Sequence, residues 1–196
     1  MLQYMAAVRE LACADSAVSV ETHDDFGRFS SCLDDMRREG AVVVIQIGGS
    51  PVVGTEGAYS VIISAGQLAG AHVSVAADTL SGALSRAIES YAQKGWQFDE
   101  ALARDLLENL TTTPAGTKND IDICIHYLEK IKSEGAAVLV KFDGQRGEGD
   151  NGPFTAAVRG GLLNDDFIRI DADSLAEAVA YVVVEYARRC WQFSAC

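Results

Sequence analysis

Repetition constrains this chain more than any other feature. Adding 95 to a residue number in the first half finds a matching residue in the second, without a gap. Glu39-Gly40-Ala41 returns as Glu134-Gly135-Ala136, and Tyr91-Ala92 followed by Trp96-Gln97-Phe98 returns as Tyr186-Ala187 and Trp191-Gln192-Phe193. Gly49, Gly54, Gly57 and Gly66 recur as Gly144, Gly149, Gly152 and Gly161, and Ala6, Arg9 and Leu11 as Ala101, Arg104 and Leu106. An internal repeat of this kind sets the architecture before any local reading. It divides the chain into a first unit, residues 1–95, and a second, residues 96–196. The copies are imperfect, so positions held in both mark what the unit needs: glycines where a side chain would forbid the backbone angle, and apolar positions that form a core.

Within each unit the periodicity predicts the elements. An opening helix over residues 5–14 and 100–109 leads into a polar stretch, which in the second unit is the probable linker Thr111-Thr112-Thr113-Pro114-Ala115-Gly116. A second helix follows over residues 25–39 and 120–134. Phe29, Leu33 and Met36 share one of its faces, as do Cys124, Leu128 and Ile131, and Gly40 and Gly135 stop it. Three strands come next, over 41–47, 59–64 and 72–76 and again over 136–142, 154–159 and 167–171. The first of each set is a near-continuous apolar, β-branched run of the kind found buried on both faces. The last helix carries Leu80, Ala83, Leu84, Ala87, Ile88 and Tyr91, repeated as Leu175, Ala178, Val179, Val182, Val183 and Tyr186. In the second unit, Ser174-Leu175-Ala176-Glu177 has the form of a capping box.

The expected fold is therefore α+β: a tandem duplication of an α-(α-β-β-β-α) unit in pseudo-twofold arrangement, each with a three-stranded antiparallel sheet covered by helices on one face. The α-β-β-β-α part resembles the double-stranded-RNA-binding domain in element order. That family's basic helix-start motif is replaced here by Ala77-Asp78-Thr79 and Ala172-Asp173-Ser174, so no RNA-binding function follows.

Charge narrows the function classes. The net charge of −12 is shared by both units, and the isoelectric point is near 4.6. Such a chain lacks the cations that replace counterions on a nucleic-acid backbone. The five cysteines, Cys13, Cys32, Cys124, Cys190 and Cys196, have no counterparts at +95 and no Cys-x-x-Cys spacing. This reads as reduced thiols in a cytoplasmic protein. No apolar run approaches the ~20 residues of a membrane span.

Sites of chemistry are not legible. The glycine-rich stretches after the first strand of each unit lead from strand to strand and contain no lysine, unlike a phosphate cradle. Asp143, Glu148 and Asp150 miss the calcium-loop spacing. His23, His72 and His126 stand at unmatched positions without ligand spacing. The expectation is a chain with no catalytic, cofactor or metal residues.

One feature points outward. With helices on one face of each sheet, the other face carries Val42, Val44 and Ile62 in the first unit and Ala137, Leu139 and Ala157 in the second. Apolar faces of this kind seldom stay exposed. Either the two units pack these faces together or another chain covers them. Val42, Val44, Ile62 and Leu139 are accordingly the candidate partner-binding residues, with Trp96 and Trp191, which either fold back to seal the core or offer an aromatic contact. The leading expectation is a non-catalytic protein-interaction module that meets another protein or a second copy of itself. The alternatives are an acidic inhibitor or nucleic-acid mimic directed at a basic enzyme, and an enzyme with an unfamiliar site at the cleft between units.

Overall fold

The computed structural model describes residues 2–14, 26–48, 57–94, 120–146 and 150–194. Helix α1 (Leu2–Ala14) comes first. The order α2 (Phe26–Arg38), β1 (Ala41–Ile47), β2 (Tyr59–Ala65), β3 (His72–Ala77), α3 (Leu80–Lys94) is then followed by α4 (Asp120–Ser133), β4 (Ala136–Asp143), β5 (Phe154–Gly160), β6 (Phe167–Ala172) and α5 (Leu175–Cys190). The fold is mixed α+β. None of the described helices is long and apolar enough to cross a membrane. The expected helix over 100–109, the 111–116 linker and Trp96 lie outside the described residues.

The sheet differs from expectation. Instead of a three-stranded sheet in each half, all six strands form one antiparallel sheet in the order β3-β2-β1-β4-β5-β6. β1 and β4 pair with Val42 opposite Asp143, Ile45 opposite Val140 and Ile47 opposite Val138. The pairing continues past the strands, where Gly144 N–H donates to the Ala41 carbonyl (3.0 Å) and Gln145 Nε2 to the Gly40 carbonyl (2.6 Å). The reason lies in β1 and β4 themselves. Both are apolar, β-branched runs whose outer edges would otherwise expose unpaired main-chain groups, and each covers the other's edge.

Alternate side chains divide the sheet into two faces. Ala41, Val43, Ile45 and Ile47 of β1 and Ala136, Val138, Val140 and Phe142 of β4 are buried under the helices. With α2 residues Phe29, Leu33 and Met36 and α4 residues Cys124, Leu128 and Ile131 they form a single hydrophobic core drawn from both halves. Gly66 and Gly161 (φ +58° each) stand where the chain turns back toward the first strand of each half. A Cβ on Gly66 would lie 2.7 Å from the Tyr91 hydroxyl oxygen, and one on Gly161 would lie 2.9 Å from the Ala136 nitrogen. The space is reserved for close approach.

Matched cation–ring contacts also cross between the halves. The Arg37 guanidinium of α2 sits 5.2 Å from the ring centroid of Phe154 in β5, and Lys132 Nζ of α4 sits 4.0 Å from that of Tyr59 in β2. Helix α1 also crosses, packing on α4 and α5, with the Tyr4 and Tyr181 rings edge to face at 5.1 Å. With α1 and α4 both packed on it, α5 is buried nearly all round, including Ala180, Val184 and Ala187. At the same heights on α3 stand Ser85, Glu89 and Ala92, none of them buried.

Candidate functional site

The face of the sheet away from the helices is built by the other alternating set. Val42 and Val44 of β1, Ile62 of β2, Ala137 and Leu139 of β4 and Ala157 of β5 are half-buried there, as expected of apolar residues flanked by their own strands. Val44 faces Ile62, and Leu139 faces Ala157. Because the halves join edge to edge, these residues share one face across four strands, with Lys141 opposite Val44 and Gln46 opposite Leu139 at the junction, and the halves do not cover each other's faces. Among the described residues, no helix lies on this side.

The polar surroundings of the patch are unequal. Across β4, β5 and β6 runs an ion-pair network centred on Arg146. Its Nε lies 3.2 Å from Asp143 Oδ2 and its Nη2 lies 3.1 Å from Asp171 Oδ1, while Nη1 donates to the Asn151 carbonyl at 2.8 Å. Lys141 Nζ meets Asp143 Oδ2 at 2.6 Å, Thr155 Oγ1 donates to Asp171 Oδ1 at 2.5 Å, and Arg169 meets Asp171 at 3.3 Å. Both carboxyls are held below the usual range. Burial alone would raise them, but Lys141, the Gln145 N–H and Arg146 outweigh it at Asp143, and Thr155, Arg146 and Arg169 at Asp171. Asp143 is thus engaged by cationic side chains.

The positions 95 residues earlier carry no ionised group on this face: Gln46, Gly48, Ser60, Ser74 and Ala76 stand where Lys141, Asp143, Thr155, Arg169 and Asp171 do, and Ser64 stands for Arg159. Four cations, Lys141, Arg146, Arg159 and Arg169, therefore face two carboxylates on one side of a chain whose net charge is −12. Sequence reasoning missed them. The signal was present, since charges replace neutral residues at one alternating set of strand positions, but it becomes readable only once the register shows that these positions share a face.

Trp191 lies elsewhere, just past α5. Its indole Nε1 donates to Glu134 Oε1 (2.9 Å), the same carboxylate that accepts from the Tyr186 hydroxyl (2.8 Å), and its ring packs against Tyr127 and Tyr186 with Lys130 Nζ 4.6 Å above it. Burial first, and the Glu134 hydrogen bond second, push the Tyr186 hydroxyl pKa up. Trp191 folds back onto the core side and does not join the open face.

A hollow of about 320 Å³ at the junction of the halves is lined by Ser30, Ser31, Asp34, Ile121, Phe142, Phe154, Leu175 and Ala176. Its one carboxylate is engaged by Arg37 and Arg38, at 2.7 Å each, and Ser30 Oγ donates to the Gly27 carbonyl. The lining holds no histidine to act as base for either serine. Among the described residues no three His, Cys, Asp or Glu side chains gather where they could hold a metal ion. Cys32 is buried, and burial followed by Asp35 and Glu39 raises its thiol to about 12, so it carries little thiolate. No protein-family model, curated protein or solved structure matches the chain.

Proposed function

We propose that the chain is a tandem duplication with pseudo-twofold arrangement, acting as a non-catalytic protein-binding module whose partner covers the open face of the sheet. One observation carries this reading: apolar side chains on one face of four strands from both halves are left without a covering element among the described residues. The duplication is supported by the +95 identities and by three pairs of matched positions in space: Ile45 opposite Val140, Arg37 over Phe154 answering Lys132 over Tyr59, and Gly66 with Gly161.

The size of the surface bears on the kind of complex. Six strands spaced ~4.8 Å apart and ~20 Å long present on the order of 600 Å². A standard interface takes roughly 800 Å² per partner. The expected complex is therefore a small or transient one.

Affinity capture tests the proposal by comparing the native chain with the Val44→Glu/Leu139→Glu variant, after matching their unfolding midpoints. A protein partner recovered by the native chain and lost with the variant is the expected result. Recovery of the same partner by both, or of none by either, sinks it.

A second reading is favoured by where the acids lie. Among the described strand residues the open face holds Asp143 and Asp171 as its carboxylates, both paired with cations, so the excess negative charge belongs to the helix side, the turns and segments outside the described residues. An acidic inhibitor would use that side against a basic enzyme, with binding that weakens steeply as salt is added.

A further inference from the structure

The two edge strands of the sheet are treated differently. At β3, Lys94 Nζ donates to the His72 carbonyl (3.1 Å) and Arg86 Nη1 to the Ala76 carbonyl (3.2 Å), so side chains of α3 occupy two of that strand's main-chain acceptors. The positions 95 residues later do no such work at β6. Arg189 pairs with Asp166 at 2.8 Å, and Tyr181 packs against Tyr4. Among the described residues no side chain donates to a β6 carbonyl. An edge strand left in this state is a template for pairing with another chain.

The surroundings of β6 show what it would pair with. Phe167, at its start, is 60% exposed, and Leu162, in the preceding turn, is 53% exposed; these are the large apolar side chains most open to solvent among the described residues. Arg159 lies opposite Phe167 across β5 and β6 and makes no ion pair among those residues, while the Arg169 side chain is 54% exposed. Apolar anchors at one end of the strand thus stand beside two cations, Arg159 on β5 and Arg169 on β6, the latter also meeting Asp171 at 3.3 Å. The residues 95 positions earlier, in the first half, are Ser64, His72 and Ser74.

We propose that β6 is a docking edge for an extended segment of a partner protein, added antiparallel, whose open-face side chains are acidic opposite Arg169 and apolar beside Phe167. Main-chain hydrogen bonds to the free edge would supply affinity, and alternate side chains the specificity. This inference rests on the reading of the open face as a binding surface, and it names the chemistry of the partner. The opposite edge, with Arg86 and Lys94 on its carbonyls, does not take a strand.

The test uses the full chain and a displayed library of random linear peptides. Selected peptides are synthesised with a fluorophore and their binding followed by anisotropy, against the native protein and against the Arg159→Ser/Phe167→His/Arg169→Ser variant. Each replacement is the residue found 95 positions earlier, which the other half accommodates. The expected result is enrichment of sequences alternating acidic and apolar residues, binding about tenfold weaker or more in the triple variant, and slowed amide exchange in β6 but not in β3 when peptide is bound to the native protein. Selection of peptides without acidic residues, affinity unchanged in the triple variant, no selectable peptide, or no protection of β6 overturns the inference. Peptides that depend on Val44 and Leu139 but not on the triple substitution overturn it while leaving the open-face reading intact. The exchange measurement decides the matter on native protein even where a variant folds poorly.

Discussion

Ile45 of β1 stands directly opposite Val140 of β4, and the two positions are separated by the same 95 residues that relate the matched halves of the sequence. Both are 1% exposed, within a core that draws on both halves. In the proposed duplication, this pair marks the axis between the copies. A junction made of buried strand pairing leaves no independent halves. Thermal and denaturant unfolding should therefore give one transition that coincides by circular dichroism and tryptophan fluorescence. Ile45→Ala should destabilise the whole by about 3 kcal/mol through loss of buried surface and the cavity left behind. Two separated transitions, with only one moved by the substitution, would contradict this.

Arg146 holds Asp143 and Asp171 together, and both carboxyls titrate below their usual range when folded. Near pH 4 the folded chain thus binds fewer protons than the unfolded one at these sites. Their contribution to stability is full above the ordinary carboxylate value of about 4 and is lost as pH falls through the lowered folded values. Arg146→Met should cost about 2 kcal/mol at neutral pH, since it leaves two largely buried carboxylates with fewer donors. It should also move the acid limb of the stability curve to higher pH. Urea titrations from pH 7 to 2 measure both effects.

At alkaline pH the sign reverses. Burial is the largest cause raising the hydroxyl pKa values of Tyr59, Tyr91 and Tyr186. The Lys132 ammonium is raised as well, because the Tyr59 and Glu129 hydrogen bonds outweigh the burial that would lower it. All four hold their protons more tightly when folded. The stability they confer is full below about pH 10 and declines as pH climbs through the raised folded values. Tyr59→Phe, which installs the ring that Phe154 carries in the other half, should cost about 1 kcal/mol at pH 7 by removing the hydroxyl from Glu129 and Lys132. It should also make the alkaline decline shallower. Tyrosinate absorbance followed alongside unfolding checks the coupling.

Ala65 adopts φ +61°, ψ −157°, a region that suits glycine, and the position 95 residues later is Gly160 at φ +80°, ψ −157°. The native Ala65 conformation is strained by about 1 kcal/mol or more. Ala65→Gly should raise stability and Gly160→Ala lower it by about that amount. A Cβ at Gly160 would come no nearer than 3.8 Å to a neighbour, so backbone conformation alone sets the effect. Equal unfolding midpoints for all three proteins would refute the strain.

Much of the fold was legible because local patterns and tertiary packing agree. The face shared by Phe29, Leu33 and Met36 is buried as its spacing implied, and so is the Leu175, Ala178, Val179, Val182 and Val183 stripe of α5. Ser174 Oγ accepts from the Glu177 N–H at 3.2 Å, which starts that helix as its sequence indicated. The reading fell short where a residue's role depends on a partner distant in the chain. Ala180 and Val184 are buried on a helix that packs against both α1 and α4, and nothing near them in sequence announces it.

The candidate site was half legible for the same reason. Val42, Val44, Ile62 and Leu139 fall on the open face because strand side chains alternate, a rule that needs no structure. Lys141, Arg146, Arg159 and Arg169 were not read as a group, since three strands and a loop must be aligned before they meet.

Among the described residues the sequence by itself determined the elements, their order and the core positions, because helix and strand periodicity and glycine placement act over a few residues. Tertiary structure alone decided that β1 and β4 join into one six-stranded sheet, that α1 crosses to α4 and α5, and that α3 side chains reach two β3 carbonyls while, among the described residues, no side chain reaches one of β6. Each of these depends on hydrogen bonds or contacts between residues far apart in the chain, which local sequence patterns do not encode.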